Sequence, residues 1–180
     1  FAEADRVLGG GFYPDSLSLF VGNPGIGKST LALQMAINIA RARPDDAVLV
    51  FSGEESVFQV ERRAERLGGK PDNLLIAASF VIEDVVATVV EHKPAFTIVD
   101  SAQTFCSREL PGAPGSLPQI RTITEMLMHA SKTHGLPILL IGQVTKGGEM
   151  AGPQVLAHLV DTVLQFEGDD QHDLRILRSN

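Results

Sequence analysis

Cysteine is nearly missing. The single Cys106 excludes an internal disulfide and a multi-cysteine zinc site within these 180 residues. One cysteine suits a cytosolic protein, so the expected location is cytoplasmic. The five histidines (His92, His129, His134, His158 and His172) lack H-E-x-x-H spacing and cysteine companions. They read as ordinary helix or surface residues. No apolar run approaches the ~18 residues of a membrane-spanning helix, which argues against a membrane partner. No basic segment leads into an apolar stretch and a cleavage site. Phe1 stands first instead of Met, as expected of a piece excised from a larger protein. Net positive charge is lacking too, since the formal charge is −7. Such a chain is not coated for nonspecific nucleic-acid binding. DNA contact then requires a local basic patch, a pore lined by several subunits, or regions outside the chain.

What is present is a regular alternation. Hydrophobic residues make up 44% of the 180, enough for one well-buried domain. Short apolar runs fall at Leu17–Val21, Ala47–Phe51, Leu74–Ala77, Phe96–Val99 and Ile138–Ile141. Between them lie expected helices at Lys28–Arg43, Val57–Leu67, Val81–His92 and Ile120–His134. Leu31, Leu33, Met35, Ala36 and Ile39 give the first of these an apolar stripe. Gly68 and Gly69 stop the second, and Pro94 follows the third. Alternation of this kind predicts an α/β fold with a mainly parallel sheet flanked by helices. Val160–Phe166 and Leu174–Leu177 read as a closing strand pair, joined by the polar turn Gly168–Asp173. Ser107–Pro118, with three prolines and two glycines, reads as a long exposed loop, and Gly142–Pro153 as another.

One motif carries chemistry. Gly22, Asn23, Pro24, Gly25, Ile26, Gly27, Lys28 and Ser29 fit G-x-x-x-x-G-K-[ST] in full, and Thr30 follows. Glycines let the backbone curl until successive N–H groups point inward at phosphates. The helix that starts there adds its positive end. The motif lies between an apolar strand and an amphipathic helix, where its mechanism needs it. It predicts ATP and Mg2+ binding, with Lys28 on the β- and γ-phosphates and the Ser29 hydroxyl on magnesium.

Ligands of open α/β sheets sit at the carboxyl ends of the strands. Four runs end there on polar groups: the phosphate loop, Ser52-Gly53-Glu54-Glu55, Asp100-Ser101, and Gly142-Gln143. Asp100 closes its strand as a Walker B aspartate does and is expected in the magnesium shell, through water. Glu54 is the candidate that orients the attacking water, and Glu55 the neighbour able to take that role. Both also read as carboxylates at the start of the next helix. Gln143 is a candidate for the γ-phosphate or the water, or simply a polar strand end. Lys146 is either a DNA or subunit contact or a solvated lysine. Arg62, Arg63 and Arg66, with Glu61 and Glu65, read as a solvated, i,i+4-paired helix face, with Arg63 a candidate against adenine. Cys106 reads as a small buried hydrophobe.

The motifs together resemble a known family. They are Asp5-Arg6-Val7-Leu8-Gly9-Gly10-Gly11, the loop Gly22–Thr30, Ser52-Gly53-Glu54-Glu55-Ser56, Ala64-Glu65-Arg66-Leu67-Gly68, Asp100-Ser101, Pro114-Gly115-Ser116, Val144-Thr145-Lys146 and Ala151-Gly152-Pro153. In this order they resemble the ATPase core of the bacterial RadA (Sms) family, relatives of the RecA recombinase. The resemblance runs from Phe1 to Asn180 and implies a single RecA-like ATPase domain over residues 1–180. It implies a DNA-dependent ATPase of homologous recombination and DNA repair, moving on single-stranded DNA and promoting branch migration. It also implies a homohexameric ring with ATP between subunits, and it allows a RecA-type recombinase as partner. By similarity, Glu54 is the catalytic glutamate and Gln143 the nucleotide-sensing residue. The loops Ser107–Pro118 and Val144–Pro153 match regions lining the DNA channel.

The family's zinc finger, its Lon-protease-like domain and its K-N-R-F-G motif lie outside these residues, so weak turnover is expected of the chain alone. Gln143 stands where the family more often has histidine, and Asp15 where a glycine is more usual. A KaiC-like ring-forming ATPase or signalling module without DNA is the alternative. Val144–Lys146 with Ala151–Pro153 favours the RadA-like reading.

Overall fold

The computed structural model describes residues 2–143, 156–169 and 174–179. The expected loop beyond Gln143, with Lys146 and both motifs Val144–Lys146 and Ala151–Pro153, lies outside the described residues, as does His172. The chain builds a seven-stranded sheet in the order β3-β2-β4-β5-β1-β6-β7. The strands are β1 (Leu17–Gly22), β2 (Val48–Ser52), β3 (Leu74–Ala78), β4 (Phe96–Asp100), β5 (Ile138–Gln143), β6 (Thr162–Asp169) and β7 (Leu174–Ser179). All neighbours run parallel except β6 and β7, which pair antiparallel. The expected mainly parallel sheet and closing strand pair are thus both present.

The helices are α1 (Ala2–Val7), α2 (Lys28–Ala42), α3 (Val57–Arg66), α4 (Ile82–His92) and α5 (Leu117–His134). Alternation along the strands sorts the core into two layers. Leu17, Leu19 and Val21 of β1 join Val85 and Val89 of α4 and Ile123 and Leu127 of α5 on one face. Phe20 joins Ala32, Leu33, Ala36 and Ile37 of α2 and Val60 and Ala64 of α3 on the other. The central strands are buried on both sides, which is why they read as unbroken apolar runs.

The structure moves several expected boundaries. Helix α2 turns its alanines Ala32, Ala36 and Ala40 to the sheet, while Leu31 and Ile39 are only partly buried at its flank. Small residues let the helix lie close to the strands. Helix α5 starts at Leu117, not Ile120, with Pro118 in its first turn. Proline is tolerated there because the first N–H groups have no partner within the helix. Strand β6 begins at Thr162, after a short 3-10 turn at Ala157–Leu159. The short helix α1 gave no periodic signal. The run Ser107–Ser116 is largely exposed but tethered: Gln119, itself buried, accepts from the Ser107 N–H at 2.8 Å and donates to the Leu110 carbonyl at 2.6 Å. Cys106 is half-buried, not fully buried.

Helix α3 has a capping box, in which Ser56 and Gln59 each satisfy the other's backbone N–H. Its arginines do not form the expected i,i+4-paired face among the described residues. Arg62 lies over the Phe58 ring and Arg63 reaches back to Glu55. Asp15 adopts a φ of 57°, a conformation that favours glycine, and this explains the expectation of glycine at that position.

Candidate active site

The parallel strands β1, β2, β4 and β5 all end at one edge, and the phosphate loop curls over that edge. Gly25 and Gly27 take φ values of 78° and 109°, which turn the chain between β1 and α2. A side chain at Gly22 would collide with the backbone carbonyl of Phe166 on β6, so the strand ends close together only with glycine there. Lys28 is buried, and its ammonium donates to the carbonyls of Gly22 at 2.8 Å and Asn23 at 3.0 Å. These bonds draw the loop around the lysine. Asn23, Pro24 and Gly25 stay exposed at the rim, while Ile26, Gly27, Ser29 and Thr30 are half-buried.

Asp100 ends β4 beside Ser52 of β2 and Ile141 of β5. Its peptide bond to Ser101 is cis. Burial raises the Asp100 carboxyl from 3.8 to about 6. The Ser29 hydroxyl, which donates to it, and Arg63 oppose that rise, while Glu54 and Glu55 add to it. Burial also lowers the Lys28 ammonium from its ordinary value, against the pull of Asp100 and Glu54. The structure therefore brings Lys28, Ser29, Asp100 and Glu54 into one electrostatic cluster.

Glu54 and Glu55 part company. The Glu54 carboxylate accepts from the Ser101 hydroxyl and the Gln143 side chain, both at 2.6 Å. It thus faces β4 and β5 and lies outside the first turn of α3. Glu55 binds Arg63 at 2.5 Å instead. Arg63 lines a small crevice with Ser29, Glu55 and Asp100. Gly53 allows this arrangement: a side chain there would run into Thr104, and its N–H donates to the Asp100 carbonyl at 2.7 Å.

Two participants carried no role in the sequence reading. Ser101 is fully buried and bridges to Glu54. Gln103 donates to the Gln143 carbonyl at 3.4 Å, and its buried side-chain oxygen has no partner among the described residues. Their one sequence signal is adjacency to Asp100. The donor set suits a magnesium nucleotide. A buried carboxylate beside a hydroxyl offers hard oxygen ligands, and glycines let the turn present backbone N–H groups to a phosphate. Magnesium needs only one or two carboxylates when phosphates complete its shell.

The sequence matches the AAA_25 family, described as an AAA domain, over residues 2–149. It is 46% identical over 177 residues to the DNA repair protein RadA of Bacillus subtilis (strain 168), a match covering 98% of this chain and 38% of that protein. The RadA of Streptococcus pneumoniae is 47% identical over 177 residues, covering 98% of this chain and 41% of that one. The chain thus spans about two fifths of the length of these relatives. A crystal structure of the RadB recombinase superposes with a TM-score of 0.69 at 23% identity, covering 97% of this chain and 84% of that one, which establishes the RecA-like fold. With its fold, its phosphate loop and the match over residues 2–149 in agreement, the chain belongs to the AAA_25 family of AAA domains.

Proposed function

We propose that residues 1–180 form the ATP-binding core of a DNA-dependent ATPase that acts in homologous recombination and DNA repair. The observation that carries the reading is the convergence of Lys28, Ser29, Asp100 and Glu54 at the carboxyl ends of β1, β2 and β4. In this reading the loop Gly22–Thr30 binds the phosphates through its N–H groups, and Lys28 leaves its carbonyl partners for the β- and γ-phosphates. Ser29 would ligate Mg2+, and Asp100 would hold the ion through its hydration shell. Bound there, magnesium would neutralise the phosphate charge that builds during transfer. Glu54 orients the attacking water and accepts its proton. Ser101 and Gln143 fix that carboxylate. Gln143 ends β5 where the chain leaves for residue 144, and so joins the nucleotide to whatever that segment touches.

The whole protein is proposed to act as a homohexamer on single-stranded DNA, promoting branch migration in a helicase-type cycle, with a RecA-type recombinase as a partner. Support comes from the relatives, which bear the name DNA repair protein RadA. The test is ATP turnover by the full-length protein that carries this core, with and without single-stranded DNA. Severalfold stimulation is expected. Absence of both stimulation and DNA binding at low salt would contradict the reading.

A further inference from the structure

We propose that Arg175 is a nucleotide-contacting residue that holds the nucleoside end of the bound triphosphate. This rests on the nucleotide-binding reading above. The strand order divides the site. Glu54, Asp100 and Gln143 arrive on β2, β4 and β5, all on one side of β1. These groups claim the γ-phosphate end. The hairpin of β6 and β7 lies on the other side of β1 and reaches the same edge, because Phe166 pairs with Gly22 and Gly168 with Arg175.

The hairpin leans on the phosphate loop. A side-chain carbon at Gly168 would stand 3.0 Å from Ile26 of the loop. One at Gly27 would stand 3.0 Å from the Arg175 Nη1 and 3.9 Å from the Phe166 ring. The guanidinium therefore rests on the glycine that opens α2, on the flank away from Glu54. It is exposed, and it has no carboxylate partner among the described residues. Arg178, its neighbour on β7, is instead paired to Glu167 at 3.4 Å. A guanidinium at that place, with no carboxylate partner among the described residues, offers N–H donors to the α-phosphate and ribose, and a flat face to a base. All three belong to the nucleoside monophosphate half of ATP. None belongs to the β- and γ-phosphates already met by Lys28.

The experiment is equilibrium dialysis of the full chain with magnesium ATP and, separately, with magnesium inorganic tripolyphosphate. Arg175→Ala is expected to weaken ATP binding by roughly tenfold, the loss typical of a charge-assisted contact, and to leave tripolyphosphate binding within about twofold. Because Arg175 is exposed, the substitution is not expected to disturb folding. ATP affinity within about twofold of wild type would overturn the inference, as would equal loss for both ligands. Lys28→Ala separates the two ideas. If it abolishes ATP binding while Arg175→Ala binds normally, the site reading stands and the Arg175 role falls. If Lys28→Ala binds ATP as wild type does, the site reading falls and takes this inference with it.

Discussion

Asp100 shows what the site costs at the scale of one residue. Its carboxyl titrates at about 6 in the folded chain against an ordinary 3.8, chiefly because it is buried. Between these values the folded state holds more protons than the unfolded chain. Stability therefore falls as pH rises through that window and stays reduced above it. The difference corresponds to about 3 kcal/mol at neutral pH, as an order of magnitude. Asp100→Asn removes the charge while keeping an acceptor for Ser29. Urea unfolding of the nucleotide-free protein is expected to show Asp100→Asn more stable at pH 8, with the gain vanishing towards pH 4. An equal effect at both pH values would contradict the burial argument. At this scale the phosphate loop was fully legible, because its demands are local: glycines for positive φ, a lysine and a hydroxyl at fixed spacing. Ser101, Gln103 and Arg175 were not, because their partners come from distant parts of the chain. The family resemblance already favoured Glu54 over Glu55, and the geometry adds what each carboxylate binds: Ser101 and Gln143 for Glu54, Arg63 for Glu55.

Helices and loops were legible where their ends carry caps. The glycines after Leu67 mark the end of α3 from the sequence, while the Ser56–Gln59 box at its start and Gly135, which closes α5 at φ 69°, come from the structure. Pro118 misled because proline breaks a helix interior yet suits its first turn. The loop Ser107–Ser116 reads as free from its prolines and glycines, and nothing in them announces Gln119. That side chain accepts from Ser107 and donates to Leu110 inside the fold. The Ser107 hydroxyl adds a bond to Glu83 on α4 at 2.5 Å. Gln119→Leu keeps most of the volume and leaves the buried Ser107 N–H without its acceptor. It is expected to lower unfolding free energy by about 2 kcal/mol and to speed proteolysis after Arg108. Urea titration and limited trypsin digestion check both. Unchanged stability with unchanged cleavage would mean the loop is held by something else.

For the whole molecule, the alternation of apolar runs and amphipathic helices was enough to name an α/β fold with a mainly parallel sheet. It did not supply the strand order, which depends on which runs pair across the sheet. That order sorts the groups at the site: β2, β4 and β5 bring acidic and amide groups to one flank of the phosphate loop, and β6 with β7 bring Arg175 to the other. A nucleotide laid along the loop would meet both flanks. In the proposed mechanism Glu54 serves turnover and not nucleotide affinity. The direct measurement compares ATP affinity by equilibrium dialysis and phosphate release for wild type and Glu54→Gln in the full-length protein. Glu54→Gln is expected to bind ATP within about twofold of wild type and to release phosphate at least roughly 100-fold more slowly. Phosphate release by Glu54→Gln at the wild-type rate would contradict the account.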